Sequence, residues 1–138
     1  MAITGTAAVA LLVARVCFGG VLVFTGLNHF TDPSSLAAYA ESKGVPAPKF
    51  AVYASGVLLV AGGLAIVAGV YAGVGALLSA AFFLVATPTM HDFWAVPEDQ
   101  RQDEMNQFLK NAALFGGSLV FFAVSYQSWG YAAGIGLV

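Results

Sequence analysis

The sequence predicts an all-α integral membrane protein, a four-helix bundle with one short interfacial helix between helices one and two. Three observations carry that prediction. Of the 138 residues, 59% are hydrophobic and only 9% are charged, against about 25% charged in an ordinary soluble domain. The five Lys or Arg and seven Asp or Glu fall mainly in two blocks. Between and beyond those blocks run apolar stretches that meet the roughly 20 residues a spanning helix needs. A single membrane domain over residues 1–138 follows, with no room for a soluble catalytic domain beside it.

Helix one is expected over residues 7–30, with one charge inside it, Arg15. Residues 50–90 carry no charge and have about twice the length of one span, so they hold two helices and a tight turn. The turn is placed in the stretch 69–75, where Gly69, Gly73 and Gly75 permit reversal. Helix two then covers 50–71 and helix three 74–91. Helix four spans 106–126 and begins outside the apolar layer. Pro97-Glu98-Asp99 reads as its start, with acidic side chains at the positive end of the helix dipole. Met105, Phe108, Leu109 and Ala112 then follow helical spacing. The helix leaves the apolar layer at an interfacial aromatic group, Tyr126, Trp129 and Tyr131.

The charged stretches 31–49 and 92–105 are loops on one side of the membrane. In the first, Asp32 reads as an N-cap with Pro33 at the first helical position. Gly44 reads as the helix stop, and Leu36, Tyr39 and Ala40 share a face. Residues 33–43 should therefore form a short helix lying at the interface. Pro46 and Pro48 end that excursion and start helix two. Lys43, Lys49, Arg101 and Lys110 all lie on the loop side. The positive-inside rule then places both loops in the cytoplasm and both termini outside, in a multi-pass protein of the cell membrane. Both hairpins have the same orientation, and each loop follows a histidine near a helix end, a pattern compatible with a degenerate parallel repeat.

Composition also excludes functions. A net charge of −2 without any basic run argues against nucleic acid as a partner. One cysteine, Cys17, excludes an internal disulfide and a cysteine-based metal site within one chain; it reads as a small buried hydrophobe. Residues 1–27 do not read as a cleavable signal, because the only basic side chain falls inside the apolar run rather than before it.

The few polar residues in so apolar a chain each need a partner or an interface. His91 and Asp92 end helix three, His29 ends helix one, and Lys110 and Asn111 begin the membrane part of helix four. All five fall at one level and are expected to converge. A carboxylate can fix an imidazole tautomer and a lysine can hold a carboxylate ionised. Such a cluster suits proton transfer, a quinone head group or a small oxyanion; the plainer alternative is a set of interfacial pairs that close the bundle. Trp94 adjoins His91-Asp92 and has an interfacial anchor as its default role. Arg15 lies about 21 Å along the helix from His29 and is expected to snorkel to the far interface, with a cavity lined from the outer side as the alternative. No two ligands show the i, i+4 spacing of a helical metal motif, so no metal site is expected. The glycine pairs Gly19-Gly20, Gly62-Gly63 and Gly116-Gly117 read as close helix contacts. Phe82, Phe83, Phe121 and Phe122 read as lipid or core contacts.

These residues carry a resemblance. His91-Asp92-Phe93-Trp94, followed by Phe108-Leu109-Lys110-Asn111 and Gly116-Gly117, is similar to the DoxX family of small four-helix membrane proteins. Arg15-Val16, Gly19, Gly26, Asn28, His29 and Phe30 in helix one add to it. The resemblance implies Arg15, His29, His91, Asp92, Lys110 and Asn111 as motif positions, without a catalytic role for any. The family takes its name from a subunit associated with a terminal quinol oxidase and thiosulfate:quinone oxidoreductase, and relatives are linked to membrane redox complexes handling thiols. The function so implied is that of an accessory subunit of a quinone- or thiol/thiosulfate-linked redox complex, rather than an autonomous enzyme. Its partners would be the lipid bilayer and other membrane or redox subunits, and a quinone is the cofactor that the cluster would suit. The alternatives are a non-catalytic scaffold or assembly factor, and a small-solute carrier or channel built as a homo-oligomer.

Overall fold

The computed structural model describes residues 1–136. Its elements, in order, are β1 (Ala2–Ile3), α1 (Gly5–Thr31), α2 (Pro33–Ser42), α3 (Pro48–Ala68), α4 (Ala72–Met90), α5 (Glu98–Val124) and β2 (Ser128–Trp129). Helices α1, α3, α4 and α5 are long and apolar enough to cross a membrane. The chain is an all-α, multi-pass membrane protein with the short helix α2 between the first two spans.

Local signals explain most helix ends. The Asp32 side chain accepts from the Ser35 N–H and Pro33 opens α2. Gly44 at φ +78° reverses the chain after it, and the Val45 N–H closes back on the Ala40 carbonyl at 3.0 Å. Pro48 opens α3. The turn between α3 and α4 is tighter than the glycine pattern predicted. Gly69 and Tyr71, both in the left-handed region, suffice to reverse the chain, and Gly73 and Gly75 lie inside α4. Gly75 has a packing reason for being there. A Cβ on it would meet the Gly62 carbonyl at 2.9 Å, so the backbones of α3 and α4 touch at that pair.

α3 is the central helix, packed against α1, α2 and α4, while α5 packs on α4. The two glycines in its middle face different partners. Gly62 abuts Gly75 of α4, and a Cβ on Gly63 would lie 2.6 Å from the Gly19 carbonyl of α1. In lipid, such close approach supplies van der Waals contact where the hydrophobic effect drives little helix association. Leu22, Leu59 and Phe83 form one core cluster, and Ile66, Ala76 and Phe121 another nearer the chain termini.

The termini add a layer that the sequence pattern did not reveal. β1 pairs in parallel with β2, and the segment after β2 folds back over the α3–α4 turn. There the Ala133 and Gly134 N–H groups bond to the Ala68 and Gly69 carbonyls, and the Tyr71 N–H to Ile135. This cap closes the end of the bundle opposite α2.

Candidate functional site

The polar residues of the α2 end come from three separate elements. Tyr39 of α2 and Lys43, the residue that caps its C-terminal end, lie one turn apart and so share a face. His91 and Asp92 follow the last turn of α4. Glu104 stands in the charged first turns of α5, among Glu98, Asp99, Arg101 and Asp103. The fold joins them into two linked pairings. His91 Nδ1 donates to Glu104 Oε2 at 2.8 Å, and the Tyr39 hydroxyl lies 2.7 Å from the other oxygen of the same carboxylate. Lys43 Nζ donates to Asp92 Oδ1 and lies 5.6 Å from the Tyr39 ring centroid. All four partners of the two ion pairs are partly shielded from water.

The Tyr39 hydroxyl links the His91–Glu104 ion pair to a backbone carbonyl. Tyr39 has one hydroxyl hydrogen but two acceptors, Glu104 Oε1 and the Met90 carbonyl at 2.9 Å. A proton arriving on Glu104 lets the carboxyl donate to Tyr39 and frees the Tyr39 hydrogen for Met90. The chain His91–Glu104–Tyr39 can therefore hold an extra proton by re-orienting hydrogen bonds alone. Burial, the hydrogen bond to Glu104, and the charges of Glu104 and Asp92 push the Tyr39 phenol well above its ordinary value, so it stays protonated. The hydrogen bond from Lys43 holds the Asp92 carboxyl below the usual carboxylate range.

Beside this network lies an aromatic group. Phe93, Trp94 and Phe108 meet edge to face with centroids 5.2 to 5.9 Å apart. Trp94 is 58% exposed. One turn below His91 on α4, Thr87 is buried, and its hydroxyl has no partner among the described residues.

The expected convergence of five polar residues forms only in part. His91 and Asp92 take part, with Trp94 alongside. His29 does not: its Nδ1 donates to Thr25 of its own helix at 3.0 Å, and its ring meets Phe82 edge-on. Lys110 is exposed and donates to Gln107 at 2.6 Å, pointing away from the network. Asn111 is buried on the inward face of α5, two turns beyond Glu104. Tyr39, Lys43 and Glu104 were missed as site residues. The signal for Glu104 was its helical spacing to Phe108 and Asn111, which marks the inward face of α5. The signal for Tyr39 and Lys43 was their i, i+4 relation.

Arg15 departs furthest from expectation. It does not snorkel; it is 1% exposed. The backbone of α1 carries it on the buried stripe with Gly19, Leu22 and Gly26, and the end of α3 supplies its partners. Its guanidinium donates to the Ile66 carbonyl at 3.0 Å, to the Val67 carbonyl, and to Tyr131 and Gly130 of the C-terminal segment at 3.1 and 3.4 Å. It also stacks over Trp129 at 5.3 Å. Trp129 is therefore a packing partner of Arg15 rather than a free interfacial aromatic. A helix leaves its last carbonyls unpaired and carries partial negative charge there; Arg15 satisfies both needs at the end of α3. Cys17, two positions on, is exposed on α1 rather than buried, because it lies off that stripe on the lipid-facing side.

The DoxX family model matches residues 10–92, more than half of the chain. The matched region includes Arg15, His29, His91 and Asp92, and ends before α5, so it does not extend to Glu104 or to the Phe108–Gly117 part of the resemblance. No curated protein and no solved structure gives a significant match. On the family match, which runs from the first span to the end of α4 at Asp92, the chain belongs to the DoxX family.

Proposed function

We propose that this DoxX protein is an accessory subunit of a membrane redox complex, and that its α2-end network exchanges protons with a quinone. The observation that carries this reading is the hydrogen-bonded chain His91–Glu104–Tyr39, whose bonds can re-orient to take up a proton without moving a helix. Reduction of a quinone to the quinol takes two electrons and two protons. A partner redox subunit would supply the electrons. The network would pass the protons from loop-side water, with the Phe93–Trp94–Phe108 group offering an aromatic face for the ring.

A second reading has its own observation. Both pairings cross between elements, tying α2 to α4 and α5, so the network also serves as a latch in a scaffold or assembly subunit. One experiment separates the two. The protein is purified in mild detergent and its extract analysed for quinones beside a His91→Ala variant. Stoichiometric quinone in the wild type, lost from a variant of unchanged helicity, supports the redox reading. Unfolding of the variant, or an empty wild type that carries co-purifying subunits, supports the scaffold.

A further inference from the structure

On the opposite face of α2 from the proton network lies a groove of about 500 Å3, within the 300–1,000 Å3 typical of ligand sites. Its walls are Ala37 and Ala38 of α2 and Pro48 and Phe50 at the start of α3, and its rim carries Glu41 and Lys49. We propose that this groove binds a phospholipid with a primary-amine headgroup, phosphatidylethanolamine, with its phosphate at Lys49 and its ammonium at Glu41.

Three observations fit that occupant. The first is position. α3 is a candidate span that begins at Pro48, so the groove sits where the apolar layer gives way to headgroups, and Phe50, 75% exposed, continues its floor into the acyl region. The second is charge. Glu41 and Lys49 are both exposed, and neither belongs to an ion pair among the described residues. A pair of opposite charges with no ion-pair partner among the described residues, at the rim of a largely apolar groove, complements a zwitterion better than an anion, because a lone phosphate would meet the Glu41 carboxylate. The third is the helix end. α3 has no side-chain cap, so its first N–H groups add to Lys49 on the phosphate side. The primary ammonium matters because it donates hydrogen bonds to Glu41, which the trimethylated headgroup of phosphatidylcholine cannot do. The proposal depends on the membrane placement of α3 and not on the redox reading.

The test is native mass spectrometry of the full chain, released from detergent with defined lipids in competition. For the wild type, phosphatidylethanolamine should be retained about fivefold to tenfold over phosphatidylcholine of the same acyl chains, the scale of one charge-assisted hydrogen bond partly open to water. Glu41→Gln should reduce that ratio to near one. Lys49→Gln should weaken both lipids together. Equal retention of the two lipids by the wild type, or an unchanged ratio in Glu41→Gln, overturns the proposal, as does a preference for phosphatidylglycerol. Should a variant fail to fold, the wild type alone decides through headgroups carrying zero to three N-methyl groups. Affinity that falls as N–H donors are lost supports the site, and affinity indifferent to methylation rejects it.

Discussion

Replacing Arg15 with Met keeps most of the side-chain volume and removes every donor. The guanidinium serves four carbonyls, two at the end of α3 and two in the C-terminal segment. The Ile66 and Val67 carbonyls have no other partner among the described residues, because the Gly69 and Val70 N–H groups turn back to Ala65 and the Tyr71 N–H goes to Ile135. In water, an orphaned buried acceptor costs about 1–3 kcal/mol. In membranes, measured hydrogen-bond contributions average about 0.6 kcal/mol, since the unfolded chain also finds partners. The Gly130 and Tyr131 carbonyls escape part of the cost by peeling into the interface. Taken together, these bounds give a loss of about 2–4 kcal/mol. The assay is reversible unfolding in mixed detergent followed by circular dichroism, in a Trp94→Phe background so that fluorescence reports Trp129 alone. The variant should unfold earlier by that amount, and Trp129 emission should shift to the red before the helices melt, as the terminal cap detaches. A loss below about 1 kcal/mol with unchanged Trp129 emission would refute the capping role of Arg15.

Other predictions follow from the same geometry. Because the Asp92 carboxyl is held below its ordinary value near 3.9, its pairing with Lys43 contributes fully above that value and is lost as pH falls through the lowered one. A spin label at Ser35→Cys, with Cys17→Ser, should stay immobile from neutral pH down to about 4 and loosen below it. With Asp92→Asn added, α2 should be mobile already at pH 7, and a label as immobile as in the parent would sink the latch. Gly63→Ala, whose Cβ would lie 2.6 Å from the Gly19 carbonyl, should destabilise by about 1–3 kcal/mol. Gly20→Ala and Gly116→Ala, whose Cβ atoms would meet nothing within 4 Å, should stabilise by up to about 1 kcal/mol. The same unfolding assay reads all three, and equal effects would mean that α1 and α3 do not cross at Gly19 and Gly63.

Much of the fold was legible because charges are scarce. The uncharged run from 50 to 90 predicts two spans, and Asp32-Pro33 and Gly44 mark α2 almost to the residue. Which apolar face turns inward was harder, since core and lipid make the same demand on hydropathy; that is why Cys17 was placed on the wrong side. The burial of Arg15 is hidden from the sequence for a different reason. Its acceptors come from residues 51, 52, 115 and 116 positions away, and nothing local announces that a helix end and a terminal segment will converge on it. The stripe Arg15, Gly19, Leu22, Gly26 did carry the information, for an arginine in line with the small residues of a packing face points inward. At the α2 end, His91 and Asp92 stood out as isolated polar residues after an apolar run, whereas Glu104 was hidden among four other charges. His29 was drawn into the cluster by depth alone, and depth does not determine the direction in which a ring turns.

On the proposed function, the His91–Glu104–Tyr39 chain exchanges protons with a quinone. Infrared difference spectra of the purified protein, recorded while an added quinone is reduced electrochemically, test it directly. A carboxyl band that changes on reduction in the wild type and vanishes in Glu104→Gln, with a tyrosine band lost in Tyr39→Phe, is the predicted result. Difference spectra that contain bands of the quinone alone, identical in wild type and variants, would contradict it.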